Sequence, residues 1–515
     1  MVTLCRNMNK PKKAVVILLD SLNRHMLGCY GSKEFKTPNI DRLAAKSLRF
    51  QKHYTGSLPC MPARHDILVG ALDFLWKPWG SIELWERPLS HYLRRKGIVT
   101  RLITDHPHLF ETGGENYHTD FLSWDYLRGH ESDPWRTRKD PSWIGSPALP
   151  AGFKYQSDEN SYPYDLSRTY FREELDFPGP KTMRATSKWL ENHGNSHDSF
   201  LLFVDEFDPH EPFDTPAPWA NMYDPDWKDD MIIWPPYAVG AQEKGLITAR
   251  QARHIRANYG SKLSMIDHWL GEVIDVMDEK DLWKETLFIV CTDHGHYLGE
   301  KDMFGKPKAM QYEPLGHTPL LIHYPGIAPG DIHALTTNVD IHATLADLFD
   351  IEVDHKTHGY SLLPLIDGSK NTIRDWALGG IFGNWVQIQD GRFKYARAPV
   401  DSNFPLSMWS NRWSTMPVPP LPNLRLPDPD HRAFLDYMPG SKIPVMRQPF
   451  AEGDLLPYWS LNAPINDHQL YDIDNDPEEN HNLSGEAIET QMLDMISTAL
   501  TELEAPREQF KRLGL

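Results

Sequence analysis

Four cysteines in 515 residues are too few and too scattered to organise a fold. Cys5, Cys29, Cys60 and Cys291 offer neither a disulfide framework nor a zinc-ligand spacing. Long apolar runs are missing as well. After Arg6, Lys10, Lys12 and Lys13 the apolar stretch covers only Ala14–Leu19 and ends in Asp20. That is too short for a signal peptide or a membrane span. Positive charge is in deficit: 53 Lys and Arg stand against 71 Asp and Glu, a net charge of −18. This balance argues against nucleic acid and anionic membrane surfaces as partners. Any positive charge that holds an anionic substrate must therefore be local to its site. Internal repeats and low-complexity tails are also absent. The expectation is a cytoplasmic, mostly reduced enzyme, with periplasmic export of a longer precursor as the lesser alternative.

What is present is enough apolar residue, 40% of the chain, for a sizeable core. The length points to a large α/β unit with a smaller appendage. Ala14-Val-Val-Ile-Leu-Leu19 is a continuous β-branched and aliphatic run, the pattern of a strand buried on both faces. Similar runs cover Val99–Ile103, Ser199–Val204, Thr286–Cys291 and Pro319–His323, with helical stretches around Thr182–Glu191, Ala249–Met277 and Asp340–Phe349. Thr37 and Pro38 open another helix, with Thr37 as N-cap and Ile40, Leu43, Ala44 and Leu48 at helical spacing. Strands alternating with helices imply βαβ crossovers and a largely parallel sheet covered on both faces. The chain divides into a catalytic domain over 1–380, with an insertion about 124–176, and a C-terminal subdomain over 381–515, with an insertion about 399–464. Both insertions are rich in Pro, Trp, Asp and Ser. They read as long loops that shape a pocket, or equally as surface loops pinned by tryptophans.

In parallel sheets ligands sit beyond the carboxyl ends of the strands. Asp20, Asp205 and Asp293 each stand just past such a run, so they can converge. Alone, Asp20 reads as a helix cap. Thr292-Asp293-His294-Gly295 repeats the placement, and a carboxylate from each strand plus an imidazole suits a divalent cation. Cys60-Met61-Pro62-Ala63-Arg64 is followed by Leu68 and Gly70, and His65–Gly70 reads as a helix start. By itself Cys60 is a small buried hydrophobe. His210 lies between prolines in Phe207-Asp208-Pro209-His210-Glu211-Pro212-Phe213. Lys306 closes the segment from Leu298-Gly299-Glu300 to Gly305, with Lys308 nearby, and a loop lysine is ordinarily just solvated. In Thr104-Asp105-His106-Pro107-His108 either imidazole suits a base near neutral pH, and a second metal cluster is the weaker reading.

Taken in order, these motifs resemble the type I sulfatases of the alkaline phosphatase-like superfamily. Segments further along are similar too: Thr37-Pro38-Asn39-Ile40-Asp41, Asn258–Met277, Val339–Leu345, Gly359–Leu365, Leu470–Ile473 and Asp476–Leu483. The resemblance implies an α/β fold with a large mostly parallel sheet flanked by helices and a small C-terminal α+β subdomain. It implies that C-x-P-x-R is the signal by which a formylglycine-generating enzyme oxidises Cys60 to formylglycine. One divalent metal would be held by Asp20, the modified Cys60, Asp293 and His294, with calcium expected and manganese or magnesium open. The family often has two adjacent acids where this chain has Asp20-Ser21. Ser21 is then a weak ligand or none, which resembles the phosphonate monoester hydrolase branch. Arg64 would hold the hydrated aldehyde and neutralise the metal-site carboxylates, while His210 and Lys306 would bind the sulfate, with Lys308 as a competing register. Asp105 stands where the family carries a lysine, and His106 or His108 would deprotonate the diol. The implied activity is hydrolysis of small, aryl or sugar sulfate esters. Alternatives are a phosphonate monoester or phosphodiester hydrolase on the same site, and an inactive binding protein of this fold. Retention of all seven residues from Asp20 to Lys306 speaks against the last. The expected partners are a small anionic ester, the maturation enzyme and a second copy of the chain.

Overall fold

The computed structural model describes residues 10–144, 149–150, 163–307, 309–400, 403–412, 433–451, 454 and 467–515. Cys5, Lys308 and parts of both insertions lie outside the described residues. Eight strands form the main sheet in the order Gly330–Thr337, Leu48–Tyr54, Leu321–His323, Thr286–Cys291, Lys13–Leu19, Phe200–Glu206, Val99–Thr104 and Ser123–Tyr126. All pair in parallel except Leu321–His323, which runs against both its neighbours. The chain therefore has the expected α/β architecture, a large mostly parallel sheet flanked by helices, with that one strand reversed.

Every residue of the central strand Lys13–Leu19 is buried, and the pleat sends alternate side chains to opposite layers. Val15, Ile17 and Leu19 enter the layer filled by the helices Pro178–His193 and Ala249–Glu279. Ala14, Val16 and Leu18 enter the layer of Cys60–Val69 and Val339–Leu348. Two buried faces are what make the sequence run continuous instead of alternating. The long helix Ala249–Glu279 begins at a capping box, in which the Thr248 hydroxyl accepts from Gln251 N at 3.2 Å and Gln251 Oε1 accepts from Thr248 N at 2.9 Å.

Several expectations need correction. The helix opened by Pro38 ends at Ala44, and Leu48 belongs to the strand Leu48–Tyr54. Thr37 precedes that helix but makes no side-chain cap; its hydroxyl accepts from Gly28 N at 3.1 Å. Asp205 lies within the strand Phe200–Glu206 instead of beyond it. The helix at the C-x-P-x-R segment begins at Cys60 itself, about one turn earlier than expected. The insertions are not structureless: the second carries the strands Leu406–Trp409, Phe434–Tyr437 and Pro444–Phe450, paired as a small antiparallel sheet.

A separate antiparallel sheet of Ala377–Gly380, Val386–Gln389, Phe393–Arg397 and Gln469–Asp472 packs with the helix Ala487–Glu502. Its first strand grips the loop that precedes Cys60. Leu58 N donates to Gly380 O at 3.0 Å and Gly380 N to Gly56 O at 3.1 Å. The C-terminal sheet thus helps fix where the Cys60 helix starts.

Candidate active site

The carboxyl ends of four neighbouring strands meet the N-terminus of the helix Cys60–Val69. All ten residues of that helix are buried. Its unpaired N–H groups and the positive end of its dipole point toward the strand ends, where they favour anions. One turn in, Arg64 is fully buried and gathers three carboxylates. Its Nη2 lies 2.9 Å from Asp20 Oδ2 and 2.7 Å from Asp205 Oδ1, and its Nη1 lies 2.7 Å from Asp293 Oδ2. Nη1 also donates to the Cys60 carbonyl at 3.2 Å. Convergence of Asp20, Asp205 and Asp293 is therefore real, but its centre is a guanidinium. Burial alone would raise the Asp20 carboxyl. Arg64, with Lys306 adding to it, holds it well below the usual range.

Asp20, Cys60, Asp293 and His294 each present a ligand atom within 4.8 Å of the others. The donor set suits a hard or borderline divalent cation. His294 Nδ1–H donates to the Gly295 carbonyl at 2.8 Å, which leaves Nε2 as the free lone pair, 3.3 Å from Cys60 Sγ. Apart from its ion pair with Arg64, Asp20 Oδ2 is buried without a hydrogen bond, as suits a ligand oxygen. The residues present therefore fit a divalent metal. Backbone around the cluster is pinned by groups that no motif singles out. Thr55 Oγ1 and Asn338 Nδ2 donate to the Asp293 carbonyl at 2.7 and 2.9 Å. Ser21 adopts a left-handed φ of 60°, its N–H donates to Asp293 Oδ1 at 3.1 Å, and its hydroxyl donates to Asp20 Oδ1 at 2.7 Å. Burial raises the Cys60 thiol well above its ordinary value, so as an unmodified cysteine it is a poor nucleophile.

Opposite this cluster lie His210 and Lys306, brought together from different loops. Lys306 Nζ donates to His210 Nε2 at 2.5 Å, and His210 Nδ1–H donates to the Glu211 carbonyl at 2.6 Å. Those partners fix the tautomer. Lys306 is only 5% exposed, which removes the reading of a solvated loop lysine. Burial works against its charge, but Cys60, Glu211, Asp20 and Asp293 keep its pKa raised. Glu211 Oε2 lies 3.0 Å from His296 Nε2, and its other oxygen accepts from the Tyr237 hydroxyl. Glu211, His296, Asn338 and Tyr237 carry no spacing signal in the sequence that marks them as part of a site.

The two candidate bases part company. His106 is fully buried, neither ring nitrogen has a hydrogen bond, and Nε2 lies 3.6 Å from Asp20 Oδ2. Burial and the charge of Arg64 hold its pKa well below the ordinary value, so the ring is neutral. His108 is held on both nitrogens, by Glu111 at 2.8 Å and Glu131 at 3.1 Å. Burial opposes its charge, but the two carboxylates raise it to about 9. An imidazolium at neutral pH has no lone pair to give, so the base role favours His106 over His108. Asp105, in place of the expected lysine, accepts from Phe207 N at 2.9 Å and anchors the loop that carries His210. Among the described residues the metal-competent cluster is the one at Asp20, and it does not include His106 or His108.

Comparisons with known proteins bear on the family and the fold. The sulfatase family profile matches residues 12–351. The choline-sulfatase of Rhizobium meliloti (strain 1021) is 27% identical over 75% of this chain and 78% of its own length. An arylsulfatase of Clostridium perfringens (strain 13 / Type A) is 25% identical over 71% of this chain and 80% of its own. The crystal structure of the phosphonate monoester hydrolase of Agrobacterium radiobacter superposes with a TM-score of 0.64 at 18% identity, covering 96% of this chain and 95% of that one. At that identity the likeness is one of fold.

Proposed function

This chain belongs to the sulfatase family, and from that premise we propose that it hydrolyses small sulfate esters with Cys60 matured to formylglycine. The observation that carries the reading is that Cys60, at a buried helix N-terminus, shares a four-donor cation cluster with Asp20, Asp293 and His294, while Lys306 and His210 pair nearby. Asp20, Asp293, His294 and residue 60 would hold the cation, with calcium favoured by the oxygen donors and manganese or magnesium admitted by the imidazole. A bound cation supplies Lewis-acid charge beside the nucleophile. The hydrated aldehyde supplies a geminal diol, of which one hydroxyl attacks sulfur and the other, once deprotonated, expels sulfate and restores the aldehyde.

The chain's own residues divide the remaining work. Arg64 offsets one of the three carboxylate charges and a bound divalent cation would offset the other two, so that an anionic ester is not repelled from the strand ends. Lys306 holds the ester's anionic oxygens, and His210, whose Nε2 accepts from Lys306, relays a proton from that ammonium to the departing alcohol. His106, neutral and with no hydrogen bond on either nitrogen, takes the proton from the diol. The net charge of −18 favours a small ester over a sulfated polymer. One observation keeps a phosphonate monoester or phosphodiester substrate as the second reading. Position 21 is a serine engaged with Asp20, so the first motif offers one acid and not two. Mass spectrometry of the peptide spanning Cys60, on protein co-expressed with a formylglycine-generating enzyme, tests the proposal alongside a panel of sulfate, phosphonate and phosphodiester substrates. A homogeneous thiol in fully active enzyme sinks it.

A further inference from the structure

The pocket has a wall that none of the proposed chemistry uses. Tyr237 is 39% exposed, yet its hydroxyl is tied inward to the buried Glu211. With the polar end anchored, the open surface belongs to the ring. The fold fixes where that ring lies. The strand Ala238–Val239 pairs with Met303–Gly305, placing Tyr237 beside Gly305, which has a left-handed φ of +73°. A Cβ at Gly305 would come within 2.8 Å of Tyr237 Cδ2, so glycine there lets the ring lie against the backbone just before Lys306. Lys306 Nζ is 5.6 Å from the ring centroid. Lys306 in turn bonds His210, so the ring stands beside the Lys306–His210 pair.

We propose that Tyr237 is the platform of a leaving-group subsite, and that the leaving group it takes carries a ring, aryl or sugar, whose flat apolar face lies on the tyrosine. This rests on the sulfatase reading above and extends it to the alcohol half of the substrate. With its centroid 5.6 Å from the lysine that would hold the sulfate, the ring is within reach of an alcohol ester-linked to that sulfate. An exposed aromatic held rigid by a buried carboxylate has already lost the rotamer freedom that stacking would otherwise cost. Its hydroxyl donates to a carboxylate, which enriches the ring in electrons and favours the C–H face of a sugar or the edge of an arene. An acyclic cationic leaving group fits less well, because Lys306 already faces the same ring.

The test compares wild type, Tyr237→Ala and Tyr237→Phe on 4-nitrophenyl sulfate and on choline sulfate, reading the ratio of the two kcat/KM values. Stacking of this kind predicts that Tyr237→Ala lowers the ring-to-acyclic ratio by roughly tenfold, while Tyr237→Phe keeps it. Equal losses on both substrates, or the same drop in Tyr237→Phe, would show that the residue only props Glu211 and Lys306, and would overturn the proposal. A second arm needs no turnover: 4-nitrophenol is titrated into Cys60→Ala protein with and without Tyr237→Ala. Weaker binding in the double variant supports the platform, and unchanged binding refutes it. If wild type cleaves no sulfate ester at all, the sulfatase reading fails, and this second arm still decides the role of Tyr237.

Discussion

Replacing Arg64 by methionine keeps most of the side-chain volume and removes the charge together with its hydrogen bonds, which makes it a direct probe of how the site is held. The guanidinium is fully buried and touches Asp20, Asp205 and Asp293. Without it, three buried carboxylates are left facing one another. Breaking a buried ion pair from one side costs about 3–5 kcal/mol, because the remaining charge stays desolvated. At ~2.1 cal/mol/K per residue the unfolding entropy of 515 residues is about 1.1 kcal/mol/K, so the expected fall in Tm is roughly 3–5 °C. The assay is thermal unfolding in chelator, repeated with added calcium. Calcium should restore part of the loss in Arg64→Met, since a cation at Asp20 and Asp293 supplies some of the missing charge. If Arg64→Met in chelator melts within about 1 °C of wild type, as exposed pairs do, the guanidinium is not compensating buried charge. Asp20, Asp205 and Asp293 would then owe their convergence to something other than Arg64.

Three further outcomes follow from the same geometry. Lys306→Ala should lower kcat/KM by roughly 100- to 1,000-fold, the usual cost of one donor to developing charge, and Lys308→Ala by much less; the reverse order would show that the lysine register is off by two residues. Asp293→Asn should lower the divalent metal content well below the one ion per chain expected of wild type by elemental analysis, and full activity in metal-free protein would contradict the cation site. His108 should titrate near 9 by NMR and fall toward its ordinary 6.5 in Glu131→Gln. Because its folded pKa is raised, the stability it contributes is complete below about 6.5 and is lost as pH rises through about 9, on the order of 3 kcal/mol in all; a titration near 6.5 in wild type would return His108 to the list of bases.

What the sequence reveals depends on whether a residue's environment leaves a local trace. Lys13–Leu19 is legible because burial on both faces admits nothing polar until Asp20. The strand Leu48–Tyr54 hides because its inner positions alternate with Arg49, Gln51 and Lys52, so Leu48 completes a false helical period with Ile40 and Ala44. The helix at Cys60 hides for the opposite reason. With all ten residues buried it has no solvent face, hence no amphipathic period to mark its start. Of the site, Asp20, Cys60, Arg64, Asp293 and His294 can be located because short motifs tie chemistry to spacing. The rest is pairing at a distance. His106 and His108 are two residues apart and look interchangeable, and what separates them is Glu131, 23 positions beyond His108 in an insertion that reads as loop. Lys306 looks solvated until the fold sets His210 against it. Tyr237 has no motif at all; its place follows from a two-residue strand, a left-handed glycine and a carboxylate 26 residues upstream. The reacting centre is thus written in local spacing, whereas the groups that set protonation and shape the exit for the leaving group are written only in tertiary contacts. Substitutions at Glu131 and Tyr237 should therefore alter pH profile and substrate choice well before they abolish turnover.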